Sequence, residues 1–316
     1  MVWLLRRLAV STGLVWVVAT IVFLAIHLVP GDPAELLLSQ GGVAPDPAAV
    51  AELRTQLGLD QPILVQYGDS MLHLLGGDLG QSLQDQSSVA QEIGRRLPRT
   101  LELIGAAMLL ALLVGIPVGT LAATRHNSVF DRAVTALSGL ALSIPVFVLG
   151  TVIIFVFAQS LHWVPAGGYV AFAAAPGLHL LLLLMPAAAL GVGLAAAIFR
   201  MSRAAVLDVI AQDYVRTARA KGVARGRILR HHVLRNALLP VVTIVALHLG
   251  GLLGGTVLVE YVFNWPGLSG LLVGAVMARD YPEVVGVVFT ISVLFVALNF
   301  AVDILYAALD PRVRYG

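Results

Sequence analysis

Residues 178–199, LHLLLLLMPAAALGVGLAAAIF, carry no charged side chain, and Arg200 opens a segment with nine basic residues up to Arg235. The first stretch matches the ~20 residues that cross the hydrocarbon core of a bilayer as a helix. The second holds almost half of the 20 lysines and arginines in the chain. Outward from this pair, comparable apolar runs lie at 8–29, 100–122, 133–158, 238–259 and 284–308. They complete an expected all-α, polytopic membrane protein of about six transmembrane helices. Composition agrees: 59% of the 316 residues are hydrophobic and 12% are charged, against ~25% charged in soluble domains.

The net charge of +2 makes no case for nucleic acid, so the position of the charges matters more than their sum. No cysteine is present, which excludes disulfides, thiolate metal sites and cysteine nucleophiles. Arg6 and Arg7 precede the run from Leu8 to Val29, which is too long for a signal-peptide core and meets no small-residue cleavage site before Pro30-Gly31-Asp32-Pro33. Residues 1–29 are therefore expected to be an uncleaved first span.

Six spans put both termini on one side. Fifteen of the 20 basic residues fall there: Arg6, Arg7, Arg125, Arg132, the nine from Arg200 to Arg235, Arg312 and Arg314. The positive-inside rule then makes the termini and the 200–236 loop cytoplasmic, with Arg95, Arg96 and Arg99 a local departure. Residues 30–98 form the one long outer excursion and are expected to fold as a small acidic helical cap or interfacial scoop, with nine acidic residues from Asp32 to Glu92. Asp46-Pro47 starts a helix with a capping side chain and a proline at the first position. Val50, Leu53 and Leu57 share one face, and Gly58 ends it. Further helices are expected from Pro62 to Leu75, stopping at Gly76-Gly77, and from Ser88 to Leu97. Residues 99–316 form the five-span core.

Within the cytoplasmic loop, Met201 to Lys221 reads as one helix, Gly222 breaks it, and Arg225 to Asn236 reads as another. Val206, Val209, Ile210, Tyr214 and Ala218 recur at near-helical spacing, with Asp208, Asp213, Arg216, Arg219 and Lys221 around them. Such a two-helix lever offers a mixed apolar and basic surface to another protein. A loop that only touches anionic lipid needs fewer arginines.

The segment Asp213-Tyr214-Val215-Arg216-Thr217-Ala218-Arg219-Ala220-Lys221-Gly222, continued by Leu234-Arg235-Asn236 to Pro240, resembles the coupling loop of permease subunits of binding-protein-dependent ABC importers, in the dipeptide, oligopeptide and nickel branch. The resemblance extends along the chain through Gly31-Asp32-Pro33, Leu57 to Pro62, Gly77 to Ser82, Trp265-Pro266-Gly267 and Ala308-Leu309-Asp310-Pro311-Arg312. Only Ala218, Gly222 and Leu234 match the general family pattern, in which Glu-Ala-Ala stands where this chain has Arg216-Thr217-Ala218, whereas the peptide branch's own version is matched from Tyr214 to Gly222 and from Leu234 to Pro240. The second loop helix opens Ala224-Arg225-Gly226 where Ser or Thr is the usual cap. The resemblance implies a homologous second permease, two ABC ATPase subunits, an extracytoplasmic solute-binding protein, and import of short peptides, or else of nickel or its chelates, across a prokaryotic inner membrane. ATP and Mg2+ would bind those ATPase subunits and not this chain. A P-loop needs a lysine followed by Ser or Thr, and Lys221, the only lysine, is followed by Gly222.

Other residues admit plainer readings. Ser269 in Gly267-Leu268-Ser269-Gly270 has no later histidine to activate it, so the sequence reads as a turn and short helix, and no catalytic residue is expected. His231 and His232 point ~100° apart on a helix, a poor metal pair. His248 lies at membrane depth in span five. Glu102 is expected in the first turn of span two as a dipole-stabilised anion near Arg99, and Asp303 near the end of span six as a partner for an arginine. Gly115-x-x-x-Gly119, Gly250-x-x-x-Gly254 and Gly251-x-x-x-Gly255 allow close helix packing. Pro117, Pro145 and Pro186 permit bends, with Ser143-Ile144-Pro145 the expected hinge. An ion-coupled secondary transporter is the rival class. It would call for intramembrane charges and repeated halves, and it leaves the basic lever unexplained.

Overall fold

The computed structural model describes residues 2–28, 33–38, 46–56 and 58–309, and every regular element among them is helical, with one isolated bridge pairing Gln81 and Ser88. Gly31-Asp32, Leu57, Asp310-Pro311-Arg312 and the side chains of Leu53 and Asp303 lie outside the described residues. Four helical stretches are long and apolar enough to cross a membrane: Val89–Thr124, Pro176–Ile210, Arg225–Val262 and Tyr281–Val302. A bent pair, Val129–Ser143 with Val146–Ser160, makes a fifth if it is one span. The first helix adds a shorter apolar stretch, Ala9–Ala25. The chain divides into two compact units, residues 1–98 with 270–297 and residues 99–269 with 298–316.

The first unit begins with α1 (Val2–Leu28), α2 (Pro33–Leu38), α3 (Pro47–Gln56) and α4 (Ile63–Leu75). Helix α3 starts where Asp46 accepts the Ala48 N–H at 3.0 Å and stops at Gly58, whose φ of 64° suits glycine. Helix α4 ends at Gly76-Gly77, with Gly77 at φ 76°. Asp78 beyond it accepts the Gly80 N–H at 2.9 Å and faces His73 at 3.2 Å, which together hold its carboxyl below the usual carboxylate range.

The separate helix expected over Ser88–Leu97 is instead the first part of α5 (Val89–Thr124), which runs through Pro98. Proline costs this helix one backbone bond. Burial on both sides outweighs that cost: Val89 and Ile93 before it, and Leu103 and Ile104 after it, are 0–5% exposed. Glu92 also pairs with Arg96 four residues on, at 2.6 Å, and lies 3.7 Å from Arg95, so its one negative charge is shared between two arginines. The unit closes with parts of α12 (Leu268–Ala278) and α13 (Tyr281–Leu309). Buried Asp280 joins them to the turn after α4, accepting Ser82 Oγ at 2.5 Å and the Leu83 N–H at 3.0 Å.

In the second unit α8 (Pro176–Ile210) is the central post, with His179, the Leu182–Leu194 stretch and Ile198–Val206 supplying buried positions along it. Around it pack α5, α6 (Val129–Ser143), α7 (Val146–Ile153, continued as π-helix over Ile154–Ser160) and α11 (Arg235–Val262). The single span expected over 133–158 is broken: α6 and α7 meet at 107°, because Ile144 is extended ahead of Pro145, whose ring disfavours a helical residue before it. Close approach of α5 to α8 rests on glycine. A Cβ on Gly115 would come within 2.7 Å of Ile198, and one on Gly119 within 2.7 Å of the Phe199 carbonyl. On α11 a Cβ at Gly255 would lie 3.1 Å from Leu190, while Gly251 and Gly254 have open space and Gly250 is half-buried. Gly119→Val is therefore expected to lower stability by about 1–3 kcal/mol through overpacking. Gly254→Ala should leave thermal unfolding of the detergent-purified protein unchanged.

Candidate functional site

The loop after α8 is shorter than its sequence suggests. Helix α8 continues past Arg200 to Ile210 because nothing in Met201–Val209 breaks it and Ala205 and Val206 are buried. The chain then turns at Ala211–Gln212. Gln212 is extended, and its carbonyl accepts the N–H groups of Val215 (3.1 Å) and Arg216 (3.2 Å), starting α9 (Asp213–Ala220). The helix expected over Met201–Lys221 is thus two helices with a corner between them. Asp213 sits in the first turn of α9 and Arg219 in the last, both favourable for the helix dipole.

Gly222 closes α9 by a defined motif. With φ at 76° it donates its N–H to Arg219 O at 3.0 Å, and Val223 N–H reaches back to Ala218 O at 3.2 Å. This is the paired bonding of a Schellman cap, completed by an apolar contact between the residues it joins: Val223 and Ala218 both pack on one cluster. A three-residue helix α10 (Arg225–Arg227), uncapped at Ala224, then runs through a π-helical turn (Ile228–Leu234) directly into α11. The second arm of the lever is therefore the foot of a long helix.

Val215 anchors α9. It is fully buried in a cluster of Ala123 (α5), Ala205 and Val206 (α8), Ile228 and Val233 (π turn) and Ala237 (α11), flanked by Leu234 and Ala218. Asn236 Nδ2 donates to Tyr214 Oη at 3.0 Å and to His232 O at 3.1 Å, tying α9 to the second arm. Asp213, Tyr214, Arg216, Thr217, Arg219, Ala220 and Lys221 remain exposed. The Arg216–Asp213 contact, 3.4 Å between side chains 70% and 95% exposed, contributes little. The result is a short helix clamped on one side and open on the other, presenting an aromatic ring among three cations.

Two polar constellations were not legible in the sequence. Asp131, in the first turn of α6 behind the Ser128 cap, is buried and receives Arg203 of α8 through Nε (2.5 Å) and Nη2 (2.8 Å), plus the Asn127 N–H at 3.0 Å. Neither residue stands out locally, since Arg203 reads as one of nine loop cations. Glu102 is corrected: α5 starts at Val89, so Glu102 is well inside a helix and cannot cap it. Its Oε1 lies 2.7 Å from Nε2 of buried His179, whose Nδ1 is 2.7 Å from the Val170 carbonyl. Glu260, also buried, accepts Thr100 Oγ1 (2.7 Å) and the Ser269 N–H (2.8 Å), while Trp265 Nε1 donates to Arg99 O at 3.0 Å. The Arg99 guanidinium stacks on Tyr169 at 4.5 Å. These contacts pin the Trp265–Ser269 turn. Ser269 is buried against Thr256 at 3.3 Å, a packing role. His248 is exposed on α11. The available hint is that Glu102 and Glu260 are lone carboxylates in otherwise apolar sequence, Glu102 two residues after Thr100 and Glu260 between Thr256 and Trp265.

Long apolar helices packed around a post, with a cationic helix anchored at its end, are the architecture of a membrane-embedded subunit. The chain belongs to the family of binding-protein-dependent transport system inner membrane components, whose model matches residues 115–315, with the N-terminal model of the same systems matching 1–104. It is a permease subunit of an ABC importer. It is 41% identical over 313 residues to the glutathione transport system permease protein GsiC of Salmonella typhimurium, covering 99% of both chains. It is 41% identical over 312 residues to the putative peptide transport system permease protein BAB2_1050 of Brucella abortus, covering 99% of this chain and 98% of that one. The fold is similar to a chain of the MetNI methionine ABC transporter, with a TM-score of 0.57 and 22% identity over 70% of this chain and 97% of that one.

Proposed function

We propose that this permease imports short peptides delivered by an extracytoplasmic solute-binding protein, forming half of a pathway with a homologous second permease and driven by two ABC ATPase subunits that grip α9. The observation that carries the reading is the clamped helix itself, anchored by Val215, capped at Gly222 and open along Tyr214, Arg216, Arg219 and Lys221. ATP binding closes the ATPases and moves α9, and α8 and α11, which leave the same cluster, carry the displacement into the membrane. Both the nucleotide-bound ATPases and the loaded binding protein favour one pore conformation, so their binding energies shift its population. Lipid surrounds the apolar spans, and the surplus of basic residues puts α9 and both termini on the cytoplasmic side of the inner membrane. The polar parts of the acidic cap face the binding protein. Relatives named for glutathione and peptide transport support a peptide cargo over nickel.

Uptake of labelled dipeptides, tripeptides, glutathione and nickel by the reconstituted complex tests the cargo; nickel uptake without peptide uptake would reverse the assignment. Two variants test the coupling helix. Gly222→Pro replaces a residue at φ 76° with one locked near −65°, and Ala218→Glu drives a carboxylate against the Val215 cluster. Both are expected to insert normally and lose uptake to background. Wild-type uptake in both would sink the role of α9.

A further inference from the structure

Helix α4 has more apolar surface than the protein covers. At ~100° per residue its side chains fall into three arcs. Tyr67, Met71 and Leu74 face inward: Met71 and Leu74 are buried with Ala19, ringed by Leu79, Val285 and Phe289, and Tyr67 Oη lies 2.8 Å from Thr20 Oγ1. Gln66, Asp69, Ser70 and His73 form a polar arc along an open cavity of about 510 Å³ shared with His27, Asp78 and Tyr281. The third arc, Leu64, Val65, Leu72 and Leu75, is 45–80% exposed and adjoins the buried one. The apolar surface therefore spans about half the circumference, and protein covers only about half of that.

The neighbours of α4 set its depth. Ala19 and Phe23 belong to the apolar stretch Ala9–Ala25 of α1, and Tyr67 stacks edge-on against Phe23 at 5.4 Å. At 1.5 Å per residue these contacts lie ~8–14 Å before the end of α1 at Leu28, and Val285 and Phe289 lie ~6–12 Å after the start of α13 at Tyr281. Contacts near the ends of two apolar helices suit an interfacial helix, which sinks its apolar face ~5–10 Å into the boundary between headgroups and acyl chains. Helix α1 itself exposes the apolar side chains of Val17, Ile21 and Leu24.

We propose that α4 is an interfacial membrane helix, with Leu64, Leu72 and Leu75 packed into lipid acyl chains and Gln66, Asp69 and His73 held at headgroup level. Lipid is the occupant because the uncovered arc carries no charge and α4 packs on two apolar helices near their ends. The cap is then a lipid-seated hood on α1 and α13, and its polar arc is offered to the aqueous side at a fixed height.

The natural absence of cysteine makes the test direct. Leu72→Cys and Asp69→Cys, each labelled with an environment-sensitive fluorophore, are assembled in the complete transporter in liposomes and exposed to spin-labelled lipid or to aqueous iodide. The label at position 72 is expected to lose several-fold more emission to spin-labelled lipid than to iodide, and the label at 69 the reverse. Quenching of position 72 by iodide would place that arc in water and overturn the proposal. Quenching by neither agent, with or without the solute-binding protein, would mean that protein covers it and would also overturn it. So would equal quenching of both positions by lipid.

Discussion

Replacing Arg203 with alanine is expected to destabilise the folded permease by about 3–5 kcal/mol, the cost of removing one partner from a buried ion pair. Asp131 has a side chain only 2% exposed and receives two of its bonds from the Arg203 guanidinium. Without Arg203 the carboxylate keeps the Asn127 N–H and a contact of 3.4 Å with His126, too little for a desolvated charge. Asp131→Asn should cost less, because the guanidinium left behind is 24% exposed and regains water. The double variant Asp131→Asn/Arg203→Ala is expected to recover part of the loss. Thermal unfolding of the four proteins in detergent measures this, and strictly additive losses would show that the pair does not act as a unit. Arg203 lies eight residues before Ala211, where the chain turns into α9, so the pair locks the start of α6 to the post that carries α9.

Val215→Asp is expected to abolish transport while leaving membrane insertion unchanged. The valine is fully buried among Ala123, Ala205, Val206, Ile228, Val233 and Ala237, and none of these offers a partner to a carboxylate. A buried unpaired charge costs far more than α9 gains by docking, so the helix detaches. The ATPase subunits should no longer copurify, and uptake should fall to background at normal permease abundance. Tyr214→Ala, at a residue 44% exposed with one side-chain bond to Asn236, should weaken coupling without abolishing it. Normal uptake by Val215→Asp would refute the anchor.

Features set by local, periodic signal are legible in the chain. Asp46-Pro47, Gly58, Gly76-Gly77 and Gly222 bound helices because capping bonds and positive φ are set by residue type. Legibility fails where a distant contact outweighs a local breaker. Pro98 does not end α5, since Val89, Ile93, Leu103 and Ile104 bury the helix on both sides. Glu102 looked like an N-terminal anion only because the helix was started at residue 100. Once α5 begins at Val89, the same carboxylate lies beside His179, and no short-range pattern joins residues 77 apart in the sequence. The π-helical turns at Ile154–Ser160 and Ile228–Leu234 leave no composition signature either, because one extra residue per turn changes hydrogen bonding without changing the apolar count.

The sequence by itself determined that this is a membrane chain, which segments are apolar enough to be spans, where the surplus of arginine lies, and that the residues from Tyr214 to Gly222 resemble the coupling loop of ABC importer permeases. Those properties follow from composition, period, local residue order and the backbone preferences of glycine and proline, which act within a few residues. Only the tertiary structure decided that Val215 is the clamp, that Asp131 and Arg203 meet, that Glu260 and His179 secure the Trp265 turn, and that α4 turns an uncovered apolar arc outward. Each of these depends on which helix faces are opposed, and burying a charge or a leucine has an energy only once its neighbours are in place.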